Sequence, residues 1–198
     1  DRITFIQRAS RHVSLDEPAD VVVADIRDVL PLAGTSLTGM IDARRFLSPT
    51  GVLIPQRDTL WIAVVHAPAA HQARVRPWDE RCFGLDFSAV RRAAVSLPRK
   101  ERFEPGDLVT PPAAWADLDY RTLTSASVSG NLRLVADRPA VAHGLAIWFE
   151  SVLVEDIRLS NRPGDPPLLY GQAFFPWPVP VSLDAGDEVH VRLRATRA

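Results

Sequence analysis

The alternation of apolar and polar positions predicts two strands and a helix in the first quarter of the chain. Residues 2–7 (RITFIQ) and 20–26 (DVVVADI) are predicted strands, and the second is a continuous apolar run of the kind found inside parallel sheets. Residues 35–51 place Leu37 and Met40 at helical spacing before a Ser-Pro-Thr-Gly stop, which predicts one helix. Strand, strand and helix in this order predict half of a doubly wound α/β sheet.

The pattern changes near Pro55, where short apolar segments of strand length begin to recur between turn residues. Examples are 59–65 (TLWIAVV), 142–154 (AHGLAIWFESVLV) and 180–195 (PVSLDAGDEVHVRLRA). Many short strands with turn residues between them indicate an antiparallel barrel or sandwich. Residues of about 73–105 interrupt the pattern with mixed helical and loop character, and they are predicted to project from the barrel.

These patterns together predict an α+β chain in two parts. Residues 1–55 are the C-terminal half of a Rossmann-like α/β sheet, and residues 56–198 are mainly an antiparallel β-barrel. The projecting segment at about 73–105 carries Trp78, an aromatic residue of the kind that often anchors protein contacts. We expect this arm to support a homodimer.

Composition narrows the class of protein. The 198 residues are 46% hydrophobic, enough for a buried core, and no apolar run is long enough to span a bilayer. The net charge of −1 disfavours a nucleic-acid partner. A single cysteine, Cys82, excludes an internal disulfide and a multi-cysteine metal site, which predicts a reducing compartment such as the cytoplasm. Because the chain begins at Asp1 without a methionine, we expect it to be a piece of a longer polypeptide.

Asp25 is the sharpest candidate for chemistry. It directly follows the apolar run, at the edge of an α/β sheet where ligands bind, and nearby Arg27 would influence its pKa. The alternative is a solvated loop acid or a helix cap. His143 precedes an apolar strand and is a candidate general base, although a structural role is favoured. The histidines share no metal-ligand spacing, and no Gly-rich turn offers a cofactor cradle, so no metal is expected.

Six segments follow one another as the parts of a known family do. Residues 1–15 resemble a third strand with its turn, residues 19–34 a fourth strand with an acidic loop, and residues 42–61 a helix leading into a barrel. Residues 77–92 resemble a dimerisation arm, residues 142–154 a central barrel strand, and residues 168–193 a closing barrel hairpin. In this order they resemble the protein arginine methyltransferase family, in a bacterial branch. Members of that branch usually continue past the final VRLRA segment, so the chain is expected to be clipped at both ends.

The resemblance implies roles for particular residues. The family's first loop glutamate falls at Asp25, with Arg27 or Asp28 beside it to tune a methyl acceptor. The acid that contacts the cofactor's adenine falls near Arg11 or His12. The Thr-His-Trp barrel motif falls at Leu168, Leu169 and Tyr170. The candidate substrate-binding residues are Tyr170, Gln172 and His143.

Two functional hypotheses follow from the resemblance. The first is a fragment of an S-adenosyl-L-methionine-dependent methyltransferase, which transfers a methyl group to a protein or small-molecule nucleophile and binds its cofactor mainly outside this chain. The family's second acid falls near Gly34 and its motif histidine at Leu169, and both losses disfavour arginine as the acceptor. The second hypothesis is a non-catalytic module for dimerisation or protein recognition. A third is a sugar- or lipid-binding barrel, which would require an apolar pocket without nearby acids.

Overall fold

The computed structural model of the chain describes residues 3–78 and 84–196. Strands alternate with short helices through the first half of these residues, and the second half is built from strands. The elements, in chain order, are β1 Ala19–Val23, α1 Ser36–Ala43, β2 Leu47–Ile54, β3 Arg57–Val65, α2 Pro68–Val75, α3 Ser88–Ser96, β4 Arg99–Glu101, β5 Ala113–Asp119, β6 Val128–Val135, β7 Ala140–Val154, β8 Ile157–Ser160, β9 Gln172–Leu183 and β10 Glu188–Ala195.

A six-stranded antiparallel sheet lies at the centre of the fold. Its order is β4-β9-β7-β3-β5, with β8 also paired to β7. Strands β6 and β10 form a separate antiparallel pair, and β1 pairs with β2 in parallel. The mainly antiparallel α+β class predicted from the sequence is confirmed, with its antiparallel ladders divided between two sheets in the described residues.

The first predicted strand is wrong. Residues 3–7 have no regular structure, and Ile3 and Phe5 are 69% and 90% exposed. A strand needs a neighbour to satisfy its backbone hydrogen bonds, and the described residues offer this segment none. Strand β1 is correctly predicted, but it is covered less than its apolar sequence suggests, since Val21 and Val23 are 53% and 70% exposed.

The predicted helix is too long. Helix α1 ends at Ala43, a 3₁₀ turn follows, and β2 begins at Leu47 and includes the Ser-Pro-Thr-Gly segment. Pro49 cannot donate a helical hydrogen bond and disfavours the helical conformation of Ser48, so the chain extends and pairs with β1 instead.

The predicted closing hairpin is also wrong, because β9 and β10 lie in different sheets. Strand β9 pairs with β7 and β4, and β10 pairs with β6. Alternate prolines at 176, 178 and 180 remove backbone donors from β9, and such a strand is a poor partner for the next one along the chain.

One hydrophobic cluster joins the two predicted parts of the chain. Leu37, Met40 and Leu53 from the first part pack in the same cluster as Leu60 and Phe149 from the antiparallel sheet. The short α/β segment is therefore fixed against the sheet by a shared core, and the loop after β1 is held close to the strands that follow.

Helices α2 and α3 lie at the interruption predicted for about 73–105, but the segment does not project as a whole, because β4 at its end pairs with β9 in the central sheet. Trp78 lies 6.1 Å from the Phe87 ring, and residues 79–83, which include Cys82, are outside the described residues. Helices of eight or nine residues are far shorter than a bilayer is thick, and no helix in the described part of the chain is long and apolar enough to cross a membrane.

Candidate functional site

A buried carboxylate, Asp58, lies in the middle of the antiparallel sheet. It is on β3, fully buried, directly opposite Ser151 of β7. The Ser151 hydroxyl donates a hydrogen bond to Oδ1, and the Tyr120 hydroxyl donates one to Oδ2 at 2.5 Å. A charged group removed from water needs partners of this kind to offset its lost hydration.

Arg27 supplies the compensating positive charge. Its Nη1 lies 3.3 Å from Oδ1 of Asp58 and donates to Oγ of Ser151 at 2.6 Å. The guanidinium also lies over the Phe149 ring, 4.7 Å from its centroid, and the side chain is only 5% exposed. The loop after β1 is thereby attached to the antiparallel sheet through a buried ion pair.

The other side of Arg27 faces Asp25. Its Nε is 3.6 Å from Oδ1 of Asp25, and the Tyr170 hydroxyl lies 2.8 Å from both carboxylate oxygens. The Asp25 side chain is nevertheless 67% exposed. The carboxylate is therefore oriented by residues from both parts of the fold while it stays open to an incoming molecule.

Two tyrosine hydroxyls of the site stay protonated. Burial, then the charge of Asp58 and the hydrogen bond to it, raises the pKa of Tyr120, and Arg27 opposes this. Burial also raises the pKa of Tyr170, together with the hydrogen bond to Asp25 and its charge. Both hydroxyls therefore donate to carboxylates at neutral pH, and Asp25 is the group of this cluster that can accept a hydrogen bond from a ligand.

Asp28 and Gln172 lie apart from this carboxylate. Asp28 is exposed and lines a neighbouring groove, and no hydrogen bond or ion pair joins it to Asp25 in the described residues. Gln172 is 6% exposed, and its amide accepts from the Phe103 backbone at 2.9 Å and donates to the Asn161 carbonyl. The structure gives Gln172 a role in fixing backbone segments.

Arg11 and His12, the predicted cofactor contacts, lie in an exposed 3₁₀ turn at Ser10–His12. Nε of Arg11 donates to Nε2 of His12 at 3.0 Å, and neither residue is buried. Arg45 fixes the turn by donating to the Ser10 carbonyl. These residues alone do not form the enclosed cradle that a nucleotide-like cofactor requires.

His143 lies far from Asp25. It lies eight positions before Ser151 in β7, roughly 26 Å along an extended strand. It contacts His66 and His71 instead, with ring centroids 5.1 and 5.4 Å away. Sequence spacing gave no sign of this three-histidine cluster, because the fold brings its members from β7, α2 and the loop between β3 and α2.

The histidine cluster is held by backbone groups. Nδ1 of His66 contacts the Val141 carbonyl at 2.8 Å, Nε2 of His71 contacts the Trp177 carbonyl at 2.8 Å, and His143 Nδ1 accepts from the Ala67 amide at 3.2 Å. Burial, then the proximity of His66 and His71, lowers the pKa of His143. Within residues 3–78 and 84–196, no group of histidine, cysteine and acidic side chains is arranged to hold a metal ion.

A cavity of about 510 Å³ lies elsewhere on the sheet, and four of its lining residues are charged. Arg57, Asp119, Arg121 and Arg158 all contribute to it. This lining differs from the acid-free apolar pocket that a sugar- or lipid-binding barrel would need.

Comparison with known proteins gives a consistent pattern. Residues 56–198 match the family model described as "Arginine methyltransferase oligomerization subdomain". "Protein arginine N-methyltransferase 1" of Schizosaccharomyces pombe is 26% identical, with 82% of this chain and 50% of the relative covered. "Probable protein arginine N-methyltransferase 6" of Arabidopsis thaliana is 25% identical, with 76% and 36% covered. The chain thus spans about a third to a half of the length of these curated relatives.

Solved structures share the fold. A Trypanosoma brucei PRMT1 enzyme-prozyme heterotetrameric complex with AdoHcy superposes with a TM-score of 0.84 at 23% identity, covering 96% of this chain and 62% of the other. Arabidopsis thaliana protein arginine methyltransferase 10 superposes with a TM-score of 0.74 at 17% identity, covering 92% and 62%. At these identities the likeness establishes the fold.

The pairing of Arg27 with Asp58 predicts strong energetic coupling. Arg27→Met and Asp58→Asn each remove one partner of a buried pair and should each cost about 3–5 kcal/mol of unfolding free energy. The double variant leaves neither charge of this pair without its partner. Its loss of unfolding free energy should therefore be at least about 1 kcal/mol smaller than the sum of the losses in the two single variants. Urea denaturation of the four proteins measures this coupling.

The exposed pair of Arg57 and Asp117 is the matched control. Its side chains are 49% and 54% exposed, and the same cycle there should give a coupling of at most about 1 kcal/mol. Equal coupling at the two pairs would contradict the account of Asp58.

The lowered pKa of His143 predicts acid sensitivity. Below about pH 6.5, the ordinary pKa of histidine, the unfolded chain takes up a proton at this position that the folded chain does not, so the unfolding free energy falls as pH falls. Between about pH 7.5 and 5.5, the fall in unfolding free energy should be smaller in His143→Asn than in the original chain, as measured by urea denaturation at each pH. A fall in the unfolding free energy of His143→Asn as large as in the original chain would contradict the prediction.

Proposed function

Because the chain belongs to the arginine methyltransferase family, whose oligomerization subdomain matches most of its length, we propose that it is the C-terminal portion of an S-adenosyl-L-methionine-dependent methyltransferase. The acceptor is a nucleophile on a protein or a small molecule. The observation that carries the proposal is the oriented but open carboxylate of Asp25, at the junction of the α/β segment and the antiparallel sheet.

Asp25 positions the acceptor in this proposal. A carboxylate held by Arg27 and Tyr170 can accept a hydrogen bond from an N–H or O–H group and thereby direct the lone pair of that atom. The cofactor supplies a methyl group on a sulfonium. Alignment of a nucleophile with such a group is itself a large part of catalysis.

Arg27 also limits which acceptors suit the site. Its fixed cation is 3.6 Å from Asp25, so a guanidinium acceptor would approach one positive charge while it bound the carboxylate. A neutral hydrogen-bond donor meets no such opposition. This supports an acceptor other than arginine, in agreement with the missing second acid near Gly34.

We place most of the cofactor-binding surface outside this chain. Val21 and Val23 present an exposed apolar surface on β1, and parallel strands of this composition are normally covered. Arg11 and His12 lie in an exposed turn and would make at most peripheral contacts. We keep the boundary at residues 55 and 56, between the partial cofactor domain and the antiparallel domain.

We further propose a homodimer through the arm at about 73–105. Large apolar side chains are exposed there, with Leu85 at 60%, Val90 at 40% and Leu97 at 59%. Trp78 and Phe87 of the same segment contact each other. Such a surface gains by being covered in a protein contact, in keeping with the name of the matching subdomain.

A non-catalytic module for protein recognition is the second candidate. Asp25 already has a hydroxyl donor in Tyr170 and a cation in Arg27, an arrangement that also serves a purely structural link between the two parts of the fold. The family's second acid is replaced near Gly34 by a residue without a side chain, which also favours a non-catalytic module.

A methyl-transfer assay separates the two candidates. The full-length protein, with labelled S-adenosylmethionine and panels of peptides and small-molecule acceptors, should show turnover that Asp25→Asn lowers by about 100-fold, because the amide is a poorer acceptor for the substrate proton. Asp156→Asn, in an exposed turn, should leave turnover unchanged. Turnover unaffected by Asp25→Asn would contradict the assigned role, and no turnover with any acceptor would favour the module.

Calorimetry tests where the cofactor binds. The 198-residue chain titrated with S-adenosylhomocysteine should bind no more tightly than about 1 mM, because the predicted cofactor contacts Arg11 and His12 lie in an exposed turn. The full-length protein is the positive control. Micromolar binding by the 198-residue chain would overturn the placement of the cofactor site.

A further inference from the structure

The hydroxyl of Tyr170 lies in front of the two carboxylate oxygens of Asp25. It is 2.8 Å from Oδ1 and 2.8 Å from Oδ2, so it is equidistant from both oxygens. Because each contact also has the angles of a hydrogen bond, the hydroxyl lies ahead of the oxygens and not above the plane of the carboxylate. This position is the fork of the carboxylate, where two parallel N–H groups of a guanidinium bind when an arginine pairs with an acid. Tyr170 therefore occupies the place of a bidentate donor.

The Tyr170 side chain is held in this position by its ring and by its neighbours along the chain. The ring packs edge-on against the buried Phe149 ring, with 5.8 Å between the centroids. The carbonyl of the preceding residue accepts a hydrogen bond from Lys100 at 3.0 Å. The following residue, Gly171, has a φ of 60°, and a Cβ there would come within 2.8 Å of the Glu101 carbonyl oxygen. A ligand would therefore have to distort this closely packed segment to displace the hydroxyl.

One edge of the Asp25 carboxylate remains open. Oδ1 has Nε of Arg27 at 3.6 Å in addition to the Tyr170 hydroxyl. Among the residues that the structure describes, Oδ2 contacts no donor except Tyr170. Each carboxylate oxygen has two lone pairs, so Oδ2 can accept one more hydrogen bond. Because the Asp25 side chain is 67% exposed, this edge can take a single N–H or O–H from a ligand.

We propose that Tyr170 determines the acceptor class of the site by closing the carboxylate fork of Asp25 to bidentate donors. The site then binds a nitrogen or oxygen nucleophile that presents a single N–H or O–H to Oδ2, such as an imidazole or a hydroxyl. The bound group is neutral, because the cation of Arg27 is 3.6 Å from the same carboxylate. That this ligand is a methyl acceptor rests on the proposed methyltransferase function, whereas the closed fork does not.

Two peptides of equal charge test the fork on the 198-residue chain. Acetyl-Gly-Arg-Gly-amide offers two parallel N–H groups, whereas acetyl-Gly-Lys-Gly-amide offers an ammonium that cannot fill a fork. Arg27 repels both cations alike, so the comparison isolates the shape of the donor. Binding is followed by NMR at the carboxyl carbon of Asp25. In the original chain the two affinities should agree within about twofold, and an arginine peptide that bound more tightly than this would overturn the proposal.

A shorter side chain at Tyr170 should open the fork. Tyr170→Leu keeps an apolar group beside Phe149 but is too short to reach Asp25. It should strengthen binding of the arginine peptide by about two- to fivefold, the size of one exposed ion pair, and leave the lysine peptide unchanged. The double variant Tyr170→Leu/Asp25→Asn should lose this gain, because the second carboxylate oxygen is gone. No gain for the arginine peptide in Tyr170→Leu, an equal gain for both peptides, or a gain that persists in the double variant would overturn the proposal.

The results distinguish this inference from the proposed function. Methyl transfer by the full-length protein, together with a fork that already prefers the arginine peptide, would reject this inference alone. Equal binding of the two peptides by the original chain and a gain in Tyr170→Leu, without methyl transfer to any acceptor, would reject the proposed function alone. The comparison in the original chain needs no variant, and it decides the question if Tyr170→Leu does not fold.

Discussion

A carboxylate buried inside a β-sheet must have a positive partner, and this requirement organises the junction of the protein. Asp58 has no exposed surface, and hydroxyls from Ser151 and Tyr120 satisfy its oxygens without neutralising it. The neutralising charge comes from Arg27, 31 residues earlier in the chain. The loop after β1 is therefore fixed to the sheet by electrostatics as well as by the shared hydrophobic core.

The position of Asp25 follows from this pairing. It lies two positions before Arg27 in the loop, so fixing the guanidinium also fixes the direction in which the carboxylate faces, and Tyr170 completes its orientation from the antiparallel side. The same loop continues to Asp28, which lines a neighbouring groove. In the proposed function a fixed cation accompanies the acid that would position the acceptor, and this arrangement disfavours a guanidinium acceptor.

Local patterns predicted the parts of the fold that local interactions decide. The valine run marked β1, and its end marked Asp25, because an apolar strand must stop where charge begins. Residues 3–7 and the β9–β10 hairpin were predicted wrongly, since strand formation depends on which partner is available. The pairing of Arg27 with Asp58 and the cluster around His143 were not predictable from spacing, because residues distant in sequence meet only after the strands have paired.

The exchange rate of the Arg27 Nε proton with solvent, measured by NMR on the 198-residue chain, tests this account most directly. A guanidinium held between Asp58 and Asp25 should exchange this proton far more slowly than exposed Arg158, and Asp58→Asn should remove most of the difference. Exchange at Arg27 as fast as at Arg158 in the original chain would contradict the buried ion pair, and with it the orientation of Asp25.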